Sequence, residues 1–208
     1  ICALENLMGR VFAKEELTKM YYLMGRNLDD YYHNFSDAAD FYIKADRMKT
    51  KDWVLRGRIN SCMGFICKQD SSFEEALVFY ERASCAFKEA GDEWYYAHNL
   101  LNVAECHISL HKYYEADSLL TIAEAFDIDS TYYARMIETR GLYFFERQEY
   151  DSALTYFVCT ENYPRPIEAK CYSNMKIMQI YVRQKNYILA TIYANFIIMC
   201  CVRLKFVL

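Results

Sequence analysis

Apolar and small residues recur along this chain at helical spacing. The clearest stretch is Asn60 to Ala83, NSCMGFICKQDSSFEEALVFYERA. Its first half carries Met63, Gly64, Ile66 and Cys67, and its second half Phe73, Ala76, Leu77, Tyr80 and Ala83. Between them Gln69-Asp70-Ser71-Ser72 forms a polar connector whose serines suit a helix cap. The pattern predicts two short amphipathic helices folded back on each other, with small residues at Gly64 and Ala76 where the backbones come close.

The same pattern returns along the chain. An apolar helix over Cys2 to Gly9 is predicted as part of an incomplete repeat at 1–13. Repeats are then predicted at 14–50, 51–91, 92–129, 130–165 and 166–208. In the first, a helix from Lys14 to His33 presents Tyr21, Tyr22, Met24, Gly25 and Leu28 inward. Asn34-Phe35-Ser36 is its turn, with Ser36 as the cap of a helix from Asp37 to Met48. There Phe35, Ala38, Phe41, Tyr42 and Ala45 repeat the order of Phe73, Ala76, Phe79, Tyr80 and Ala83. Gly91-Asp92, Asp127 to Ser130 and Tyr163-Pro164-Arg165-Pro166 read as breaks between repeats.

Two series of markers keep step. Gly25, Gly64, Ala104, Gly141 and Met178 are separated by 39, 40, 37 and 37 residues. Ala38, Ala76, Ala116, Ala153 and Ala190 are separated by 38, 40, 37 and 37. Unrelated amphipathic helices would not hold both series in register. Met178 replaces the small residue of the last leading helix, so that pair is expected to pack more loosely. Tyr181, Tyr187, Ala190 and Tyr193 carry its register.

This succession of small and aromatic residues resembles the tetratricopeptide repeat, a helix–turn–helix unit of about 34 residues. The longer period here implies helices longer by about a turn. The Tyr-rich style, with AFKEAGD and QEYDSAL phrases, is similar to tetratricopeptide proteins common in Bacteroidetes. The resemblance implies an all-α, right-handed solenoid (superhelix) of stacked antiparallel helix pairs. It implies a non-catalytic scaffold binding a peptide or protein segment in a concave groove. Two alternatives are a ligand-sensing or regulatory module of a larger membrane-anchored signalling or transcription-regulating protein, and a lipoprotein of the cell envelope. The compartment stays open between cytoplasm and envelope, and the oligomeric state is not fixed.

Composition narrows the picture. The chain has 208 residues, a length suited to one domain or one solenoid. Its 6 Gly and 2 Pro fall far below the usual ~12% combined, which argues against a turn-rich all-β fold. A net charge of −4 argues against direct nucleic-acid binding, which favours a basic domain. The 9 Cys lack paired CxxC spacing and read as small buried hydrophobes in a reducing compartment, not as a disulfide framework. The apolar run Tyr187 to Val202 is interrupted by Asn195 and is shorter than the ~20 residues of a spanning helix. It reads as a terminal repeat helix whose outer neighbour is missing, so no membrane span is expected.

Catalytic motifs are not found: the sequence has no GxSxG, no Gly-rich phosphate loop and no HExxH. Cys106 and His107 are adjacent on a helix and point about 100° apart. His107 and His111 share a face but lack the third ligand of a zinc site. No catalytic residue, metal or cofactor is therefore expected. The acid pairs Glu74-Glu75 and Asp29-Asp30 read as solvated faces or helix-terminal charge.

In solenoids of the resembled kind the leading helix of each pair lines the groove. The residues expected there are Lys19, Tyr22, Arg26 and Asp29; Arg58, Ser61, Phe65 and Lys68; and His98, Leu101, Glu105 and Ile108. The later repeats add Arg135, Glu138, Leu142 and Phe145, then Tyr172, Met175, Gln179 and Arg183. Lys19, Arg58, His98 and Arg135 hold equivalent places, a cationic row suited to an extended ligand carrying carboxylates. Phe65, Leu101, Leu142 and Phe145 are the expected apolar anchors. The competing expectation pairs the cations with Asp29, Glu105 and Glu138. Ser61 and Phe65 depart from the family's carboxylate clamp, so recognition of chaperone tails is not implied.

Overall fold

The computed structural model describes residues 13–205, with side chains described for 13–200. The expected helix at Cys2 to Gly9 lies outside the described residues. Among those described there are ten α-helices. They are α1 (Lys14–Asp30), α2 (Phe35–Arg47), α3 (Trp53–Gln69), α4 (Phe73–Ala90), α5 (Glu93–Ser109), α6 (Tyr113–Glu124), α7 (Ser130–Glu146), α8 (Tyr150–Cys159), α9 (Ile167–Arg183) and α10 (Tyr187–Lys205). A short 3-10 turn over Thr160–Asn162 follows α8. The chain divides into two compact units, 1–106 and 107–208.

In the first unit α1 packs on α2 and α3 on α4. The contact that sets both pairs is an aromatic ring laid over a glycine. A Cβ built on Gly25 would come within 2.6 Å of the Tyr42 ring, and one on Gly64 within 2.9 Å of the Tyr80 ring. Both rings are buried, and the alanines one turn before them, Ala38 and Ala76, are fully enclosed. The close approach predicted at Gly64 and Ala76 is present, but the group seated on the glycine is the tyrosine one turn after the alanine. Tyr22, Tyr42, Leu55 and Ile59 join the core between the two pairs. Met24, expected on the inner face, is 42% exposed. It stands two residues past Tyr22, about 200° round the helix, and so on the far side from that buried ring.

The second unit repeats the device. Phe157 of α8 lies over Gly141 of α7, where a Cβ would meet the ring at 3.0 Å. Phe157 is buried with Phe145, Ile177 and Ile180. In the last pair Met178 occupies the glycine position, and Ala194 stands where the other pairs place the ring. The sizes are exchanged, and both side chains are half-buried. Buried charge is neutralised within this unit. Arg140 pairs with Asp117 and with Glu124, the latter at 2.8 Å. Arg165, between Pro164 and Pro166, has its side chain almost fully buried and pairs with Glu138 and Glu161 at 3.2 Å. It also donates to Ser173 Oγ at 2.9 Å.

Local chemistry explains most helix ends. Asp52, Asp92 and Asp129 accept from the amides of Leu55, Tyr95 and Tyr132, as N-caps do. Gly91 ends α4 in the left-handed region at φ +67. Two predicted caps are corrected. Asn34 caps α2 by accepting from the Asp37 amide at 3.2 Å, two residues ahead of Ser36. Ser72 holds the cap position of α4 without a side-chain bond. The first helix ends at Asp30 instead of His33.

The hairpin turns share a feature that no residue type announces. His33, Ser71, His111, Gln148 and Lys185 each precede the cap residue of a second helix, and all have φ between 49 and 64. The next amide then returns to the end of the leading helix: Ser72 N to Cys67 O at 2.9 Å, Lys112 N to His107 O at 2.8 Å, Glu149 N to Phe144 O at 2.9 Å and Asn186 N to Tyr181 O at 2.8 Å. This closes the helix as a Schellman turn does, without glycine. Of the seven described cysteines three are buried, while Cys85 and Cys159 are exposed on second helices. The reading of the cysteines as uniformly buried is corrected at those two.

Two stability predictions follow from these geometries. Gly64→Ala drives a methyl into the Tyr80 ring and is expected to cost about 1–3 kcal/mol. Gln148→Gly relieves a left-handed non-glycine residue and is expected to gain about 0.5–1 kcal/mol. Urea denaturation checks both, with the midpoint moving in opposite directions and the slope unchanged.

Candidate functional site

The first unit contains a cavity of about 600 Å³ lined by its leading helices. Helical spacing builds each wall. From α1 come Tyr22, Arg26 and Asp29; from α3 Arg58, Ser61, Cys62 and Phe65; from α5 Trp94, Tyr95, His98, Asn99 and Asn102. Each set recurs every three or four residues and so falls on one helical face. Phe35, at the start of α2, closes one side and meets the Phe65 ring edge-on, with centroids 6.0 Å apart.

Arg58 is the central cation. Its guanidinium carbon lies 5.0 Å from the Tyr22 ring centroid and 5.5 Å from that of Tyr95. Tyr95 is itself braced, stacked on Phe87 at 5.1 Å and edge-on to Trp94 at 4.9 Å. Planar guanidinium suits this aromatic cradle as an ammonium would not. Among the described residues Arg58 has no carboxylate partner. Its neighbours in the expected set differ. Arg26 is paired with Asp30, and Lys68 with Glu105 at 2.8 Å.

A polar pin holds the walls. Ser61 Oγ donates to Asn99 Oδ1 at 3.1 Å. Asn99 is 1% exposed, and its Nδ2 donates to the Tyr80 carbonyl at 2.7 Å and to Ser84 Oγ at 2.8 Å. One side chain on α5 is thus tied to α3 and α4. At the other end Asp29 accepts from the Tyr42 hydroxyl at 3.3 Å. Burial, then the repulsion of Asp30, pushes the Asp29 carboxyl above its ordinary range. Its place in the last turn of α1, which has no basic residue there, adds the unfavourable end of the helix dipole.

Seven of the expected groove residues border the cavity: Tyr22, Arg26, Asp29, Arg58, Ser61, Phe65 and His98. Lys19 is exposed outside its lining, and Lys68 also lies outside. Leu101 is fully buried and is corrected from groove anchor to core. In the second unit Arg135 and Leu142 are half-buried. Phe145, 6% exposed, is corrected in the same way: it packs with Phe157, Ile177 and Ile180. Lys176 Nζ lies 4.3 Å from its ring centroid. The residues missed from sequence are Trp94, Tyr95 and Asn99. Trp94, His98 and Asn102 form an i, i+4, i+8 stripe that would have located them.

The thiol of Cys106 is buried and pushed up to about 12, chiefly by that burial, a setting that suppresses thiolate chemistry. His111 Nδ1 lies 2.8 Å from the Tyr113 hydroxyl. Among the described residues no three His, Cys, Asp or Glu side chains are grouped to hold a metal ion. No described helix is long and apolar enough to cross a membrane.

No protein-family model matches the chain, and no curated protein matches it in sequence. Solved structures do. One, from a functional characterisation of Pseudomonas aeruginosa PilF, has a TM-score of 0.61 at 15% identity, covering 90% of this chain and 78% of that one. Another, BtubC (BKLC) from P. vanneervenii, has a TM-score of 0.60 at 15% identity and covers 93% of each chain. Both are helical-repeat proteins of tetratricopeptide type. This chain has the same all-α fold of antiparallel helix pairs.

The raised Asp29 carboxyl gives a signed pH dependence. Its ionised form is disfavoured in the folded chain, so its stability contribution is full below the unfolded pKa of about 4 and falls as pH rises through the folded value. Asp29→Asn is therefore expected to be more stable than the parent at neutral pH, the difference closing toward pH ~4. Thermal unfolding across that range measures it. A constant difference would rule out the assignment.

Proposed function

We propose that the chain is a non-catalytic protein-interaction scaffold whose first unit binds a carboxylate-bearing peptide or protein segment in the Arg58 cavity. The observation that carries this reading is the cradle itself. A guanidinium is fixed between Tyr22 and Tyr95 in an open cavity, with no acid of the described chain to neutralise it. A fixed, partly desolvated arginine gains most from a carboxylate that presents two oxygens to its planar fork. Phe35, Phe65 and Trp94 supply apolar wall for the residue beside that carboxylate. The helical-repeat fold supports a protein partner, since it exposes long helical faces for partner contact.

The roles of the sequence-derived residues divide accordingly. Arg58 is the anchor. Arg26 and Lys68 already carry acids and act as solvated rim. His98, whose ring centroid lies 4.1 Å from that of Trp94, positions the indole. Lys19 extends the positive rim along α1. Arg135 and Leu142 belong to the second unit and have no part in this cavity.

The test uses Trp94 as reporter. The chain has 2 Trp, so Trp53→Phe leaves Trp94 alone. Peptides selected from a random display library are expected to be enriched in Asp and Glu and to change Trp94 emission. Arg58→Glu should weaken them by roughly tenfold to a hundredfold, as expected for loss of a charge-assisted hydrogen bond. It should also flatten the salt dependence while leaving helical content unchanged. Equal binding by the variant, or selection of basic peptides, would refute the reading.

A further inference from the structure

The second unit ends in a helix of unusual surface. Between Tyr187 and Val202 there is no Asp, Glu, Lys, Arg or His. One half of α10 is seated: Ala190 and Cys200 are buried, and Tyr193 packs on Tyr181 with ring centroids 5.7 Å apart. The other half is open and apolar. Tyr187, Ile188, Ile192, Ile198 and Met199 are each more than half exposed, and Phe196 nearly so.

Earlier second helices of this unit show what such a face does. The first residue of α6, Tyr113, meets Tyr143 of the following leading helix at 6.2 Å. The first residue of α8, Tyr150, receives a hydrogen bond from Arg183 of its following leading helix at 2.9 Å. Tyr187 holds the same place on α10 and is 64% exposed. The face of α10 is therefore built like one that receives another helix.

We propose that its occupant is α10 of a second copy of this chain, with Asn195 opposite Asn195. The central stripe is Ile188, Ile192, Asn195 and Met199, at spacings of four, three and four, the seam of a two-helix coiled coil. These four fall within an arc of about 60°. Asn195 stands in the middle of the seam, exposed and bonded to no other described side chain. Covered by lipid or by a plain apolar helix, its amide would lose water without compensation. A symmetry-related Asn195 offers the matching donor and acceptor, as a two-fold interface requires. The absence of charge removes like-charge repulsion between copies. The six large side chains expose on the order of 700 Å² together, near the ~800 Å² per partner of a stable interface. An antiparallel crossing also sets opposite helix-dipole ends side by side.

Sedimentation equilibrium of the full chain tests this. A dimer is expected to dominate at about 100 µM. Ile192→Glu should raise the dissociation constant by at least about tenfold, with an unchanged helical spectrum. Ile188→Glu, one turn away, should do the same and serves as the second readout if the first disturbs folding. Asn195→Leu should keep association but lose the discrete dimer in favour of higher species. A monomer at ~100 µM, a dimer indifferent to both glutamates, or a discrete dimer indifferent to Asn195→Leu would overturn the proposal. So would flotation with phosphatidylcholine–phosphatidylglycerol vesicles in place of self-association.

Discussion

The structure depends on a ring seated on a glycine. Tyr42 over Gly25, Tyr80 over Gly64 and Phe157 over Gly141 are the same contact at equivalent places in three helix pairs, and Phe87 lies over Gly57 in the second of those pairs as well. In each, a methyl on the glycine would press on the ring at 3.0 Å or less. Each also fixes rotation, because a planar ring on a flat glycine surface leaves one orientation for the helix that carries it. Everything downstream inherits that rotation. With α3 locked by Tyr80, Arg58 and Phe65 face the cavity while Ile59 and Ile66 face the core. The site is thus a consequence of pair packing, and does not need a separate structural element to build it.

This explains what was legible in the sequence. The glycine and alanine series kept step because the glycine is one half of that contact and the alanine lies one turn before the ring that is the other half, so the number and order of helix pairs could be read by subtraction. The turns could not. Their left-handed residues are His33, Ser71, His111, Gln148 and Lys185, and nothing in those residue types signals a positive φ. The described chain forms a left-handed hairpin turn five times, four of them with the same five-residue return bond, without the glycine that usually betrays it, because the returning amide bond and the following helix together outweigh a backbone cost of about 1 kcal/mol.

Leu101 and Phe145 were misread for a related reason. A leading helix is covered by its own partner and by the neighbouring pairs. α3 buries Leu55, Gly57, Ile59, Asn60, Cys62, Gly64 and Ile66, far more of its circumference than the stripe of a surface helix. Only a narrow strip remains for a cavity. Periodicity alone places an apolar residue on a face, but not on that strip. Arg58 could be placed on that strip from sequence because a charged residue on such a helix has few places to go, whereas an aromatic residue such as Trp94 looks like core there.

The treatment of charge separates Arg58 from the other enclosed cations. Arg140, Arg165 and Lys176 are covered, and each is matched to carboxylates on another element. Such pairing compensates the loss of water that burial imposes. Arg58 is half-buried and has two aromatic faces in place of a carboxylate. Aromatic contact offsets part of the desolvation, worth about 0.5–2 kcal/mol per ring, without supplying the carboxylate that the other enclosed cations have. A cation arranged this way is poorly optimised for stability alone: an acid on α5 at the position of Tyr95 would neutralise it. In the role proposed above, the two rings would hold the fork in place for an incoming carboxylate.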